Sequence, residues 1–436
     1  MKKMMSGILK NESFKSCVLV LLIISVLFLG ARTRLFGDFF STIPVFEKLS
    51  DWISGKKPTV EEPPDNEITG EAARPLCIVL TNNEKRRYAE KYDFDGVDAL
   101  YEATGGIVRE ALGSATNTVE ITKEEWLEAL NGPSIYYEYA NPISMEIIKG
   151  WFGAQARELG QGFIKRFFVA FGEEKNFLYH EDVDAGSFYV SDTALAAGRR
   201  PQILDSGGNG AEFVFEEEFA FGHNSDFFVL APQAEYSFLS AEKPLEDPEK
   251  LDMILTELGV ANQYRTNVIE DGSDRIYVGN DFEVRVSAGG QIDYRLSDNA
   301  LPGAAIDGDD ISDGEYVELA RRLVYKTLGA VCGDARVYFT SIVRGEDGAV
   351  EVMFEYFALG GKIELSEEGC PAKITFINRT VSRAELFCRS YAEGEGRLEL
   401  LPVRQAFAAA SGAFYLCYSD SGRQIIEPFW KKDTFN

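Results

Sequence analysis

The feature that most constrains this chain is a run of fifteen residues without a charge: Cys17, Val18, Leu19, Val20, Leu21, Leu22, Ile23, Ile24, Ser25, Val26, Leu27, Phe28, Leu29, Gly30 and Ala31. Lys2, Lys3, Lys10 and Lys15 precede it, and Arg32 and Arg34 follow. A basic flank ahead of an apolar core reads as an export signal. Fifteen residues is short against the roughly 20 that a spanning helix needs. A cleaved peptide should end in small-x-small, yet Leu29 stands two before Ala31 and Phe28 two before Gly30. The segment therefore reads as an uncleaved transmembrane anchor whose basic flanks snorkel to the interfaces. The lysine excess keeps residues 1–15 cytoplasmic and puts the remaining roughly 400 residues outside the cell membrane, in a single-pass arrangement.

What lies beyond the anchor is acidic. The chain of 436 residues carries 70 acidic and 44 basic side chains, a net charge of −26. Residues 1–34 hold six positive groups and only Glu12 negative, so the excess of negative charge sits in the exported part. A surface of that sign repels a phosphate backbone, which excludes nucleic acid as a partner. With 45% apolar and 12% aromatic residues the chain can build large cores.

Chemistry is narrowed by what is scarce. His180 and His223 are the two histidines, too few for a three-histidine zinc site. Cys17, Cys77, Cys332, Cys370, Cys388 and Cys417 match no zinc or redox spacing, and five in an exported body leave at least one thiol unpaired.

Along the chain, aromatic-rich residues 35–53 suit an interfacial stalk or a first helix packed on the next domain. Residues 55–73, with Pro58, Pro63 and Pro64 among acidic side chains, read as a linker. The apolar run at 75–81 predicts a strand, and a helical pattern follows through Val97, Leu100, Val108 and Leu112. Thr122 with Glu125, and Ser312 with Glu315, have the spacing of capping boxes. Residues 134–139 and the aromatic-polar alternation from 163 to 230 predict strands. A helix near 248–258 precedes a meander at 264–269, 275–279, 282–287 and 291–296. Strands at 337–343, 350–357 and around Asn378, a helix near 400–411 and two closing strands complete the pattern. The expected class is α+β: an N-terminal single transmembrane helix, then tandem small domains of antiparallel meanders with packing helices. The expected boundaries are 1–15 tail, 16–31 anchor, 32–73 stalk and linker, 74–240 N-terminal domain, 241–305 central domain and 306–436 C-terminal domain.

Candidate chemical groups read better as structure. Asp307, Asp309, Asp310 and Asp313 resemble a calcium loop, but counting from Asp309 the third position is Ile311 and the twelfth Ala320, so the run reads as a solvated loop. Glu216, Glu217 and Glu218 could supply a glycosidase pair, yet on a strand they split between two faces, as on an exposed edge. Ser54 with Lys57 and Ser240 with Lys243 lack the companion motifs of acyl-transfer enzymes. His223, beside Gly222 and Asn224, reads as a turn residue; His180, ahead of an acidic stretch, reads as a surface histidine, with a pH-sensing role as the alternative; and Asn378-Arg379-Thr380 fits a glycosylation acceptor but is equally the polar turn of a hairpin.

Four stretches carry a resemblance: RPLCIVLT after the anchor, VDALYEATGGIVREALGSA, VEITKEEWLEALNGPSIYYEYANPISMEIIKGWFG and the meander RTNVIEDGSDRIYVGNDFEVRVSAGGQIDYRL. Together they resemble YycH-type proteins, the anchored extracytoplasmic regulators associated with the WalK (YycG) sensor histidine kinase of Gram-positive bacteria. FEYFALGGKIELSEEGCPAKITFINRTVSRAELFCRSY is similar to the PepSY-like module that YycH shares with its companion YycI. The resemblance implies a non-enzymatic two-component regulator of cell-wall homeostasis that needs no cofactor. Its implied partners are a WalK/YycG-like sensor histidine kinase, a YycI-like companion and the membrane. Two other readings stay open: an extracytoplasmic ligand-binding sensor module, and a cell-envelope hydrolase built on one of the carboxylate clusters.

Overall fold

The run at 77–81 reads as continuously apolar because both faces of its sheet are covered. In this computed structural model the described residues are 74–154, 162–197, 207–214, 228–230, 235–260, 267–297, 312–345, 348–365, 369–377, 380–403, 405–406 and 414–432. They belong to one compact unit, Ile68–Asn436. The expected anchor at 17–31 and the linker lie outside the described residues.

Cys77–Thr81 sits inside a seven-stranded antiparallel sheet. The order is Arg87–Glu90, Cys77–Thr81, Ser134–Ser144, Phe163–Phe171, Asn176–Asp182, Ser187–Asp192 and Thr116–Ile121. Successive side chains alternate faces. Ile78, Leu80, Ile135, Tyr137 and Phe167 join the main core with the helices Phe94–Ser114 and Met145–Phe152. Cys77, Val79, Tyr136 and Phe168 form a second core under Trp126 and Leu130 of the helix Lys123–Leu130.

The first helix tolerates Gly105 and Gly106, each costing about 1 kcal/mol relative to alanine. Val97, Leu100, Thr104, Val108, Ala111 and Leu112 are buried at helical spacing and hold it on the sheet. Both predicted capping boxes are present: Thr122 accepts from the Glu125 amide and Ser312 from the Glu315 amide, and each glutamate reaches back.

The second large sheet has eleven strands. Its meander, Asn267–Asp271, Asp274–Val278, Phe282–Val286 and Gln291–Leu296, follows the predicted positions closely. It continues through Thr380–Phe387, Ala372–Ile377, Val350–Ala358, Gly361–Leu365, Phe414–Asp420 and Pro428–Lys432, and Arg336–Arg344 also pairs with Val350–Ala358. Gly361–Leu365 and Phe414–Asp420 run parallel. The helix Asp313–Val324, prolonged by one wide turn to Gly329, packs on this sheet through Tyr316, Val317, Ala320 and Val324.

Strand pairing crosses two of the expected domain boundaries. Gln291–Leu296 pairs with Thr380–Phe387, so the central meander is one end of the C-terminal sheet. Glu235–Glu242, expected to close the first domain, pairs with Ser390–Glu399 and Ile425–Ile426. A strand edge leaves backbone donors and acceptors open, and here they are satisfied by segments distant in the sequence. Beside this small sheet lies a buried ion pair: Arg389 donates to both oxygens of Asp420 at 2.8 and 3.1 Å, and the Tyr391 hydroxyl donates to the same carboxylate at 2.9 Å.

Candidate functional site

Where the first sheet meets the second half of the chain, a cleft of about 550 Å³ opens. Asp93 caps the helix Phe94–Ser114 by accepting from the Asp95 amide at 3.0 Å, and Asp93, Phe94 and Asp95 form one lip. The strand Ser134–Ser144 slips register against its neighbour between Glu138 and Ile143. That irregularity lies beside Tyr139 and Asn141, which line the cleft together with Trp151.

The opposite wall comes from the second half, with Arg321 and Tyr325 from the helix and Asp334, Arg336 and Tyr338 after it. The turn between them depends on Gly333, at φ 70°, where a Cβ would run into the Tyr391 carbonyl. Around it Asp334 N–H donates to the Tyr391 carbonyl at 2.7 Å, and Tyr391 N–H to the Cys332 carbonyl at 2.9 Å.

Charge is distributed unevenly in this cleft. The two guanidinium groups lining it are each engaged by a carboxylate: Arg321 donates to Glu318 at 2.8 Å, and Arg336 to Asp98 at 2.8 and 2.7 Å. Arg74 also pairs with Asp98, and the Arg336 guanidinium lies over the Phe94 ring, 4.3 Å from its centre. Asp93, Asp95, Asp334 and Glu393 stand exposed at the rim. Close by, Glu138 is half-buried, and desolvation disfavours its charge, but Lys91, Arg166 and Lys165 hold its carboxyl below the usual range.

The residues singled out from sequence fall elsewhere. Glu216, Glu217, Glu218, His223, Asp307, Asp309, Asp310, Asn378 and Arg379, with Ser54 and Lys57, lie outside the described residues. Asp313 opens a helix and accepts from Arg344 at 2.9 Å. Ser240 lies half-buried on a paired strand and Lys243 is exposed beyond it. His180 corrects the expectation of a surface histidine. It is 3% exposed, stacked on Tyr189 with ring centres 5.2 Å apart, and burial pushes its imidazole down to about 4 against the opposing pull of Asp182. The polar stretch after it misled the reading, because His180 and Glu181 are both buried in the sheet and exposure begins only at Val183.

Cys77, Cys332, Cys370, Cys388 and Cys417 are free thiols. Burial pushes the Cys77 and Cys388 thiols up, so both stay protonated and unreactive. Sequence reasoning missed the cleft residues altogether. Only the Asp93 cap had a local signal; the rest come together from distant segments.

Neither a protein-family model nor a curated protein matches this chain. Among solved structures, the crystal structure of YycH from Bacillus subtilis is similar: 12% identical, with a TM-score of 0.53, over 83% of this chain and 94% of that one. The chain thus has a YycH-like fold. Among the described residues, no helix is long and apolar enough to cross a membrane.

Proposed function

We propose that this protein is a membrane-anchored extracytoplasmic regulator that modulates a cell-wall-sensing histidine kinase through protein–protein contacts, without catalysis. The observation that carries this reading is the YycH-like fold across 83% of the chain. The N-terminal apolar segment supports it by supplying an anchor of the right polarity. The sequence resemblance supplies the partners: a WalK/YycG-like kinase, with a YycI-like companion on the same side of the membrane.

In lipid, helices associate by close packing and small residues. Ser25 and Gly30, two of the small residues within residues 17–31, lie five apart, which gives an imperfect helical face. Contact therefore rests on the body as well as on the anchor. The test is co-purification of the full-length chain with its kinase from detergent-solubilised membranes, comparing the native anchor with a polyleucine span. Association that survives the replacement assigns the contact to the exported body, and association that is lost assigns it to the anchor. A native chain that never co-purifies with the kinase overturns the reading. A ligand-binding sensor module is the second reading, favoured by the cleft between the two halves.

A further inference from the structure

We propose that the cleft between the two halves is a binding site for an organic cation: an ammonium or guanidinium group carried on an apolar stem. Four observations converge on that chemistry. First, its volume of about 550 Å³ falls within the 300–1,000 Å³ of small-ligand sites. Second, the exposed charges at its mouth are negative and come from both sides: Asp93 and Asp95 from the first half, Asp334 and Glu393 from the second. The guanidinium groups in its walls are already bound to Glu318 and Asp98, so an entering anion would have to compete with those carboxylates.

Third, Trp151, Tyr325 and Tyr338 line the same space, and aromatic rings attract organic cations. Fourth, the Tyr338 hydroxyl has no hydrogen-bond acceptor among the described residues, although the residue is 8% exposed and has the Arg336 guanidinium beside it. A ligand carrying a carbonyl or a second polar atom would supply that acceptor. A metal ion fits poorly, because among the described residues no three carboxylate, thiol or imidazole groups converge closely enough to hold one. The acids are spread around a wide mouth, which suits a cation with a body.

The same chemistry has two sources, a free polyamine and the basic side chain of a peptide. The experiment is isothermal titration of the full-length protein, in neutral detergent micelles, with spermidine, with N-acetyl-Ala-Lys-Ala-amide and with N-acetyl-Ala-Glu-Ala-amide. Asp95→Asn/Asp334→Asn serves as the variant, since both positions are exposed and neither caps the helix; its unfolding midpoint is measured in parallel. At least one basic probe is expected to bind with a Kd on the order of 100 μM. Binding should weaken about tenfold in the double variant and fall at high salt. Binding of the lysine peptide alone identifies a peptide source, and comparable binding of spermidine a free amine. The proposal is overturned if neither basic probe binds, if the glutamate peptide binds equally well, or if a normally folded double variant binds unchanged. The titration uses this protein alone, so its outcome is independent of kinase association.

Discussion

Arg336 holds both carboxylate oxygens of Asp98, at 2.8 and 2.7 Å, across 238 residues of sequence. The pair is one-fifth exposed on each side and joins the helix Phe94–Ser114 to the strand Arg336–Arg344. A two-pronged guanidinium–carboxylate contact is the strong, orientation-specific form of ion pair. It makes the two halves of the body mutually dependent. Asp98→Asn should lower stability by about 2 kcal/mol, because it leaves Arg336 and Arg74 without their carboxylate in a half-buried place. Combined with Arg336→Met, the loss should be smaller than the sum of the single losses. Urea unfolding of the four proteins measures this, and strict additivity would show that the pair does not couple the halves.

The Arg389–Asp420 pair is deeper, with side-chain exposures of 2% and 1%. Removing one partner strands a charge where water cannot reach it. Asp420→Asn is expected to cost roughly 3–5 kcal/mol, while Arg389→Met/Asp420→Leu should recover most of the loss. Thermal unfolding of both variants checks this.

Gly360 sits at φ 69°, and a Cβ there would collide with the Lys91 carbonyl and the Tyr92 backbone. Gly153 also has a positive φ, 61°, but open space around its Cβ position. Gly153→Ala should cost about 1 kcal/mol for the backbone alone. Gly360→Ala should cost clearly more, because it pushes the two halves apart. Equal midpoints in a urea titration would mean that the close approach at Lys91 is not a constraint.

His180 makes stability depend on pH. Its imidazole is held at about 4 in the folded protein, below its ordinary value of 6.5, because burial disfavours the charged ring. Between those values the unfolded chain binds a proton that the folded chain refuses. Stability is therefore greatest above about pH 6.5 and falls as the pH drops toward 4, by roughly 3 kcal/mol in all. His180→Phe keeps a ring for Tyr189 to stack on and should flatten this part of the profile. The check is the difference between the two proteins' urea midpoints from pH 7 to pH 4.5; parallel profiles would contradict the assignment.

How much of this was legible in the sequence follows from how far each signal reaches along the chain. The boxes at Thr122–Glu125 and Ser312–Glu315 are written within four residues, and both formed as read. The meander was legible because its turns at Gly272 and Gly290 are local. Pairing of Gln291–Leu296 with Thr380–Phe387, or of Glu235–Glu242 with Ser390–Glu399, has no local signature, since any exposed edge of suitable length can accept a strand. The cleft was invisible for the same reason. Asp95, Tyr139, Asp334 and Glu393 are unremarkable side chains until long-range pairing brings them to one opening.

Reconstituting the WalK/YycG-like kinase in nanodiscs with and without the full-length chain tests the central claim most directly. The readout is the kinase's autophosphorylation rate. The account predicts that the chain shifts the rate severalfold, and that a form lacking residues 1–34 shifts it less at equal concentration, because tethering raises the effective concentration of the body at the membrane. A rate unchanged by the full-length chain, over a range that saturates its incorporation, would contradict it.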